Sequence, residues 1–356
     1  MMRVAILTDT HHGGKNDNVS FASYQRRFYR DTFFPLLERE KITTVLHLGD
    51  VFDRRKYCNH HSLHLAKEMF FDPAYEMGLK IHMLVGNHDA YYKNDNFVNT
   101  PSLVLGEYDN ITIYPSLPEV INLDGADILM IPWIAPNHYA EALEIIKTAK
   151  ADIAMGHLEV NGHEIMPGYL CEHGLDASLF QRYERVFCGH YHGQQDNGHV
   201  RYLGAPYEIT WNDYNTAKGF HIYDTSTREF EFYQNPNHLF KKIFYDDTKD
   251  DDPLDMDLSN FCDSYVKIFV IQKTDFYAFD KFVDRCYNEG NFFELKIVED
   301  FSDLDPNSIA DEELEDVEDT LTLLEKYVGE IDSKMLDKDK LNRLLKGLYV
   351  EASEVE

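Results

Sequence analysis

Five short clusters in this chain carry groups able to hold metal ions: Asp9 with His11, Asp50 with Asp53, Asn87 with His88, His157, and His190 with His192. Carboxylate, imidazole and one neutral amide oxygen make a mixed nitrogen and oxygen set. Such a set suits Mn²⁺, iron or Zn²⁺ better than Ca²⁺ or Mg²⁺, which prefer all-oxygen shells. There are too many ligands for one ion, and seven serve two ions if one carboxylate bridges them. Two ions roughly 3.5–4 Å apart are the usual device for in-line displacement at phosphorus. Taken singly, each cluster has a plainer explanation. Asp-x-His and His-x-His are common on loops, Gly49-Asp50 could be a turn, and Asn87 could cap a helix. The recurrence carries the argument, because every cluster directly follows an apolar run. His60, His61 and His64 do not, and are read as a solvated helix start.

The apolar runs predict the elements that must position these groups. Val4–Thr8, Thr43–Leu48, Leu79–Val85, Ala151–Gly156 and Arg185–Gly189 read as buried strands whose C-terminal ends carry the clusters, where open α/β sheets place ligands. Phe21–Glu40 has helical spacing, with Pro35 expected to kink or split it. Ser62–Phe71 reads as a helix, and Asn137–Lys150 as an amphipathic helix capped by Asn137. Asp124-Gly125-Ala126 between two apolar runs signals a hairpin. Val200–Leu203, Phe220–Tyr223 and Glu229–Tyr233 are expected to lie in a second sheet. Asp246–Asp257 reads as a linker or exposed loop, followed by a small α+β unit to Val298.

The chain has 356 residues, 44% hydrophobic and 13% aromatic, enough for a large packed domain with an appendage. No run approaches the roughly 18 apolar residues of a membrane span. The N-terminus lacks a secretory signal pattern, and five cysteines without Cys-x-x-Cys spacing read as reduced thiols, so a cytoplasmic protein is expected. The net charge is −29, of which −11 falls on residues 1–240 and −18 on 241–356. Such a chain is a poor non-specific binder of polyanions. Any nucleic-acid role must use metal cations, local basic patches or a partner.

Asp9-x-His11, Gly49-Asp50-x-x-Asp53-Arg54, Gly86-Asn87-His88-Asp89, Gly156-His157 and Gly189-His190-x-His192 together resemble, in order, the motifs of calcineurin-like metallophosphoesterases. Within that family the chain looks like the SbcD-type nuclease subunits of DNA recombination and repair complexes, and more narrowly like those of tailed phages. The softer matches are His157-Leu158-Glu159 with Asn161-Gly162, Tyr202-Leu203-Gly204-Ala205-Pro206, and the C-terminal Leu348-Tyr349-Val350-Glu351-Ala352. The resemblance implies a four-layer αββα core of two packed sheets. It implies two divalent metal ions, Mn²⁺ or else Mg²⁺, one held by Asp9, His11, Asp50 and His192. The other would be held by Asp50, Asn87, His157 and His190, with Asp50 bridging. His88 would protonate the leaving oxygen, and Asp53 would hydrogen-bond His88. Some cellular relatives carry His at the position of Asp53. Arg54 is a weaker candidate for DNA contact. The implied activity is exonuclease and single-strand endonuclease cleavage of DNA, coupled to a coiled-coil ATPase of the SbcC type. The implied assembly is a homodimer, for which the apolar Ser62–Phe71 helix is one candidate surface and plain core packing the other explanation.

The expected organisation is a nuclease domain over 1–238, a capping domain over 239–298, an acidic linker over 299–311 and a helical partner-binding region over 312–356. Leu314, Val317, Leu321, Leu324, Val328 and Ile331 are spaced 3-4-3-4-3, an a/d stripe. Asp337 can cap a second helix carrying Leu341, Leu344, Leu345 and Leu348. These leucines either pack within this chain or dock on the ATPase coiled coil. Two other functions fit parts of the pattern. A phosphatase or small-molecule phosphodiesterase of the same superfamily shares every metal ligand, but would not need the C-terminal third. A non-catalytic scaffold would not need His88 or a full ligand set.

Overall fold

The computed structural model describes residues 2–298 apart from 167–168, 172–173 and 250–251, together with 340–341. Two six-stranded sheets organise the chain. The first has the order Phe230–Gln234, Gly219–Asp224, Arg3–Leu7, Thr44–His47, Lys80–Leu84, Ile111–Tyr114. Its last four strands are parallel, and the first two are antiparallel additions beside Arg3–Leu7. The second has the order Gln195–Asp196, Val200–Tyr202, Val186–Gly189, Ile153–His157, Ala126–Ile131, Glu119–Leu123, with a parallel centre.

The period-2 alternation of strand side chains divides the core into three slabs. Val4 and Ile6 of the first strand point between the sheets, against Ile128, Met130, Ile153, Met155 and Phe187. Ala5 and Leu7 point outward under the helices, with Phe28, Phe33, Phe70 and Tyr207. On the second sheet Leu129, Ile131, Ala154, Val186 and Cys188 face outward, against Ile146 of the Tyr139–Thr148 helix. Helix, sheet, sheet, helix is the four-layer α/β core expected from the sequence. The outer slab is rich in rings: Phe33 and Phe220 lie 4.9 Å apart, edge to face. Truncating a fully buried Phe of this kind to Ala costs about 3–5 kcal/mol.

The Phe21–Glu40 segment is helical from Val19 to Glu40. Asn18 caps its start by accepting from the Phe21 amide at 3.0 Å. Pro35 cannot donate to the residue a turn before it, and a wide π turn at Tyr29–Phe33 divides the segment just ahead of it, with the Phe34 amide reaching the Tyr29 carbonyl. The Asp124-Gly125 hairpin forms, with both residues at positive φ (50° and 88°).

Two expectations need correction. The strands at Phe220–Tyr223 and Glu229–Tyr233 do not join the second sheet; the chain crosses back and pairs them against Arg3–Leu7 in the first. Asn137 does not cap its helix. A short turn over Pro136–His138 precedes Tyr139, and the Asn137 side-chain amide instead donates to Asp95 at 3.1 Å. In the Ser62–Phe71 helix, Ala66, Met69, Phe70 and Phe71 are buried in the outer slab, with only Leu63 and Leu65 partly open, so core packing accounts for most of its apolar side chains.

Residues up to Ile297 form one compact unit, separate from 298–356. Within it, the strands Phe240–Asp246, Tyr265–Gln272 and Glu294–Val298 and the helix Phe276–Glu289 have a core of their own, including Ile243, Ile268, Phe279 and Phe282. Buried Glu208 fastens this part to the main body, accepting the amides of Leu239 (2.6 Å) and Phe240 (2.9 Å). The 299–311 segment and Leu314, Val317, Leu321, Leu324, Leu344, Leu345 and Leu348 lie outside the described residues; Leu341 is helical and half-buried. Among the described residues, no helix is long and apolar enough to cross a membrane.

Candidate metal centre

The parallel strands of both sheets deliver their C-terminal ends to one place. Asp9 and His11 follow the first strand, Asp50 and Asp53 the second, Asn87 and His88 the third. His157 ends a central strand of the second sheet, and His190 and His192 follow its neighbour. The ends are laced together by the backbone: the amide of Asp9 donates to the Gly49 carbonyl, that of His11 to Asp50, and that of His12 to Val51, at 2.8–3.0 Å. Glycine precedes Asp50, Asn87, His157 and His190. Gly49 has φ +98°, and a side chain there would strike His157 and the Gly86 backbone. A side chain at Gly86 would strike Asp50. The strand ends therefore approach as closely as backbone allows.

Four of the candidate ligands sit in the left-handed region: Asp9 (φ 53°), His11 (42°), Asp50 (51°) and His190 (90°). Each such residue costs on the order of 1–3 kcal/mol and persists only where its surroundings hold it. Gln25 supplies part of that hold, donating to the Thr10 carbonyl at 2.8 Å, and the Tyr207 hydroxyl donates to the same oxygen at 2.5 Å. Thr8 donates its hydroxyl to Asp9 at 2.6 Å. Buried Asp89 accepts from the amides of Val51, Phe52 and Gly86 at 2.9–3.2 Å, fixing the loops of Asp50 and Asn87. Burial and the Asp50 charge push the Asp89 carboxyl up to about 6, against the pull of those amides.

Two groups of ligand atoms result, each within 4.8 Å: Asp9, His11 and His192; and Asp50, His157 and His190. In the second, Asn87 Oδ1 lies 2.8 Å from His157 Nε2 and 2.9 Å from His190 Nδ1, and the two ring nitrogens are 3.2 Å apart. His157 Nδ1 faces the Leu48 carbonyl at 2.9 Å, which fixes that nitrogen as the N–H and leaves the lone pair of the neutral ring on Nε2. That lone pair faces the Asn87 oxygen and Asp50 Oδ2, the latter at 3.2 Å. Three electron-rich atoms turned on one point fit a cation. In the first group His11 Nε2 and His192 Nε2 converge at 3.1 Å. Asp50 Oδ2 is 3.8 Å from His11 Nε2, so this carboxylate reaches both groups.

The electrostatics show the same demand for positive charge. Burial alone would lower His11 and His157. The carboxylates outweigh it, through Asp53, Asp50 and Asp9 for His11 (raised to about 10) and Asp50 and Asp9 for His157 (raised to about 9). Burial would raise Asp50, yet the charges of His157, His88 and His11 hold it well below the usual carboxylate range. His192 is lowered to about 4 by burial and by the charge of His11.

His88 stands beside the first group, its ring centroid 5.0 Å from that of His11. Its amide donates to Asp50 Oδ1 at 2.9 Å, and its Nδ1 faces the Asp53 carbonyl at 2.7 Å. The bond expected between His88 and Asp53 therefore runs to the main chain of Asp53. The Asp53 carboxylate lies 3.2 Å from His11 Nδ1, a buried imidazole that competes for it. Arg54 donates to Asn16 and lies over the Tyr57 ring at 5.0 Å. His60, His61 and His64 are exposed and outside the centre.

Sequence reasoning assigned no role to Asp89, Thr8, Glu159 or the Lys218–Asp213 pair. Glu159 Oε1 is 3.3 Å from His190 Nε2. Lys218 Nζ, nearly buried, donates to the His192 carbonyl at 2.6 Å and to Asp213 at 2.5 Å. Glu159 and Asp89 each sit beside a motif residue and were within reach; nothing in the spacing of Lys218 marks it.

The chain is 31% identical to Exonuclease subunit 1 of Enterobacteria phage T4, over 99% of this chain and 100% of the relative. It is 21% identical to the SbcD component of the SbcCD nuclease of Staphylococcus epidermidis, over 61% of this chain and 65% of the relative. It is 26% identical to the DNA double-strand break repair protein Mre11 of Sulfolobus acidocaldarius, over 38% and 34%. Residues 2–194, the stretch holding every one of the candidate ligands, match the calcineurin-like phosphoesterase family, whose members use a dinuclear divalent metal centre, and the chain belongs to that family.

Proposed function

We propose that this chain is the nuclease subunit of a DNA recombination and repair complex, hydrolysing DNA phosphodiesters at the centre described above. The observation that carries the reading is the pair of ligand groups meeting at Asp50 beside His88, in a chain related end to end to a phage exonuclease subunit. Asp9, His11, Asp50 and His192 would hold one divalent ion, and Asp50, Asn87, His157 and His190 the other, with Mn²⁺ the ion the family resemblance implies and the mixed nitrogen and oxygen set compatible with it. When bound, such a pair polarises a phosphate and lowers the pKa of water enough to supply a nucleophile near neutral pH.

The chain's own residues do the rest. His88 protonates the departing oxygen. Its Nδ1–H, given to the Asp53 carbonyl, fixes the ring and turns Nε2 toward the reacting group. The Asp53 carboxylate orients His11. Exonuclease and single-strand endonuclease activity both follow from one phosphodiester site.

The reading keeps 1–238 as nuclease domain and 239–298 as capping domain. Beyond the linker, 312–356 docks on a coiled-coil ATPase of the SbcC type, and the working assembly is a homodimer in the cytoplasm, that of the host if the chain is phage-encoded. Cleavage of linear duplex and of single-stranded circular DNA with Mn²⁺, with and without the ATPase, tests it against hydrolysis of p-nitrophenyl phosphate. Turnover of the monoester with no DNA cleavage under any condition would favour the phosphatase reading instead.

A further inference from the structure

Two surface segments flank His88, and the metal centre uses the side chains of neither. The first is the hairpin of Ala90–Tyr92 and Asp95–Asn99, which begins two positions after His88. Tyr91, Tyr92 and Phe97 on it are 43%, 51% and 82% exposed. The hairpin beneath them is well anchored. Ala90 is buried with Val85, Trp133 and Ala135. Buried Asn96 donates to the Trp133 carbonyl at 2.9 Å, and the Asn94 carbonyl accepts the Asn137 backbone amide at 3.0 Å. The rings are thus presented to solvent by a fixed ladder.

The second segment follows Asp53, whose carbonyl holds His88. Arg54, Arg55 and Lys56 are three consecutive cations in a chain of net charge −29. The Arg54 guanidinium lies 5.0 Å over the half-exposed Tyr57 ring, and that of Arg55 lies 5.1 Å over the Trp133 ring. Trp133 therefore touches both segments, and each adjoins His88, the hairpin in sequence and the arginine segment through the Asp53 carbonyl.

Exposed rings interleaved with arginines are what a single strand of nucleic acid requires, since bases stack on rings while cations track the backbone. A paired base keeps its faces inside the duplex and cannot use such rings. We propose that the exposed rings of Tyr91, Tyr92 and Phe97, with the cations after Asp53, are a stacking platform that receives unpaired bases next to the phosphodiester being cut. The proposal rests on the nuclease reading and assigns the side chains that receive the bases.

The test compares the full-length chain with Y91A/Y92A/F97A, with the metal content and circular dichroism of both confirmed. Binding of Mn²⁺-loaded protein to an oligo-dT strand carrying a 2-aminopurine is followed by fluorescence at low ionic strength. The triple variant should bind roughly 10–100-fold more weakly and lose the 2-aminopurine quenching, the order expected for removing base–aromatic stacks. Y91F/Y92F, which keeps the rings and loses only the hydroxyls, should bind like wild type. Equal affinity of wild type and triple variant overturns the platform and leaves the nuclease reading intact. A triple variant that binds DNA normally but no longer co-purifies with the ATPase also overturns it, and makes this a protein-docking surface. A wild type that hydrolyses bis-p-nitrophenyl phosphate and neither binds nor cuts any DNA overturns both readings.

Discussion

The two groups of candidate ligands are close in chemistry and different in support. His157 and His190 belong to, or directly follow, central strands of the second sheet, and an amide oxygen lies within 3 Å of both rings. The His157 tautomer is fixed by a main-chain carbonyl. The Asp9, His11 and His192 group is built from loop residues instead. Each group has two residues in left-handed conformations, Asp9 and His11 here and Asp50 and His190 in the other. His11 is oriented by the Asp53 side chain, and His192 is held through its own carbonyl by Lys218. The lesson is that the second group draws one imidazole straight from a central strand, while both imidazoles of the first depend on contacts of their loops that point mutations can remove.

The largest expected effect removes the residue the groups share. Asp50→Asn should weaken both ions and bring cleavage to background, since Asp50 Oδ2 is the carboxylate oxygen near both His11 and His157. Elemental analysis decides it: two ions retained at full occupancy would mean that Asp50 does not bridge. Next in size is His88→Ala, which removes the ring and keeps the main-chain amide that donates to Asp50 Oδ1. Both metals and DNA binding should persist while the rate falls roughly 10²–10⁴-fold, the range for general acid–base groups. Loss of metal in that variant would make His88 a ligand.

How much of this was legible in the sequence follows from the same contrast. The candidate ligands were legible because each lies at, or within four residues of, the end of a buried strand, so apolar run and ligand appear together in the chain, with a glycine directly before Asp50, Asn87, His157 and His190. The four-layer core followed from those strands and the resemblance. The return of Gly219–Asp224 and Phe230–Gln234 to the first sheet was not legible, because alternation tells which face of a strand is buried and not which edge it joins. The main-chain bond from His88 to Asp53 was hidden for a related reason. A sequence displays side chains, and any residue type offers a carbonyl. Lys218 reaches His192 across 26 positions, with no motif around it.

Asp53→Asn asks whether the loop-built group is the more fragile. The His88 bond uses the Asp53 carbonyl and should survive, while His11 loses its anionic partner. Metal affinity should fall about 10–100-fold, the usual effect of a partner that orients a metal-binding imidazole. A Mn²⁺ titration should show one of two binding events weakened. Equal weakening of both would mean that the two groups are not separately supported.

Lys218→Met should have the smallest effect on the metals and the most selective one. The Lys218–Asp213 pair is nearly solvent-free, at 3% and 8% side-chain exposure. Burial would raise the Asp213 carboxyl, but the Lys218 charge and bond keep it below the ordinary range. Asp213 in turn accepts the amides of Ile209 and Thr210 at 2.8 and 3.0 Å. Removing the cation leaves a buried carboxylate uncompensated, which destabilises a fold by about 3–5 kcal/mol. It also frees the His192 carbonyl, so the imidazole loses one anchor but keeps its place in the chain. The expected result is a lowered Tm together with a loss of metal affinity smaller than that of Asp53→Asn and confined to the event that Asp53→Asn weakens. A purely structural ion pair predicts the lowered Tm with both binding events intact. Calorimetric Mn²⁺ titration of folded Lys218→Met, at a temperature well below its Tm, separates the two.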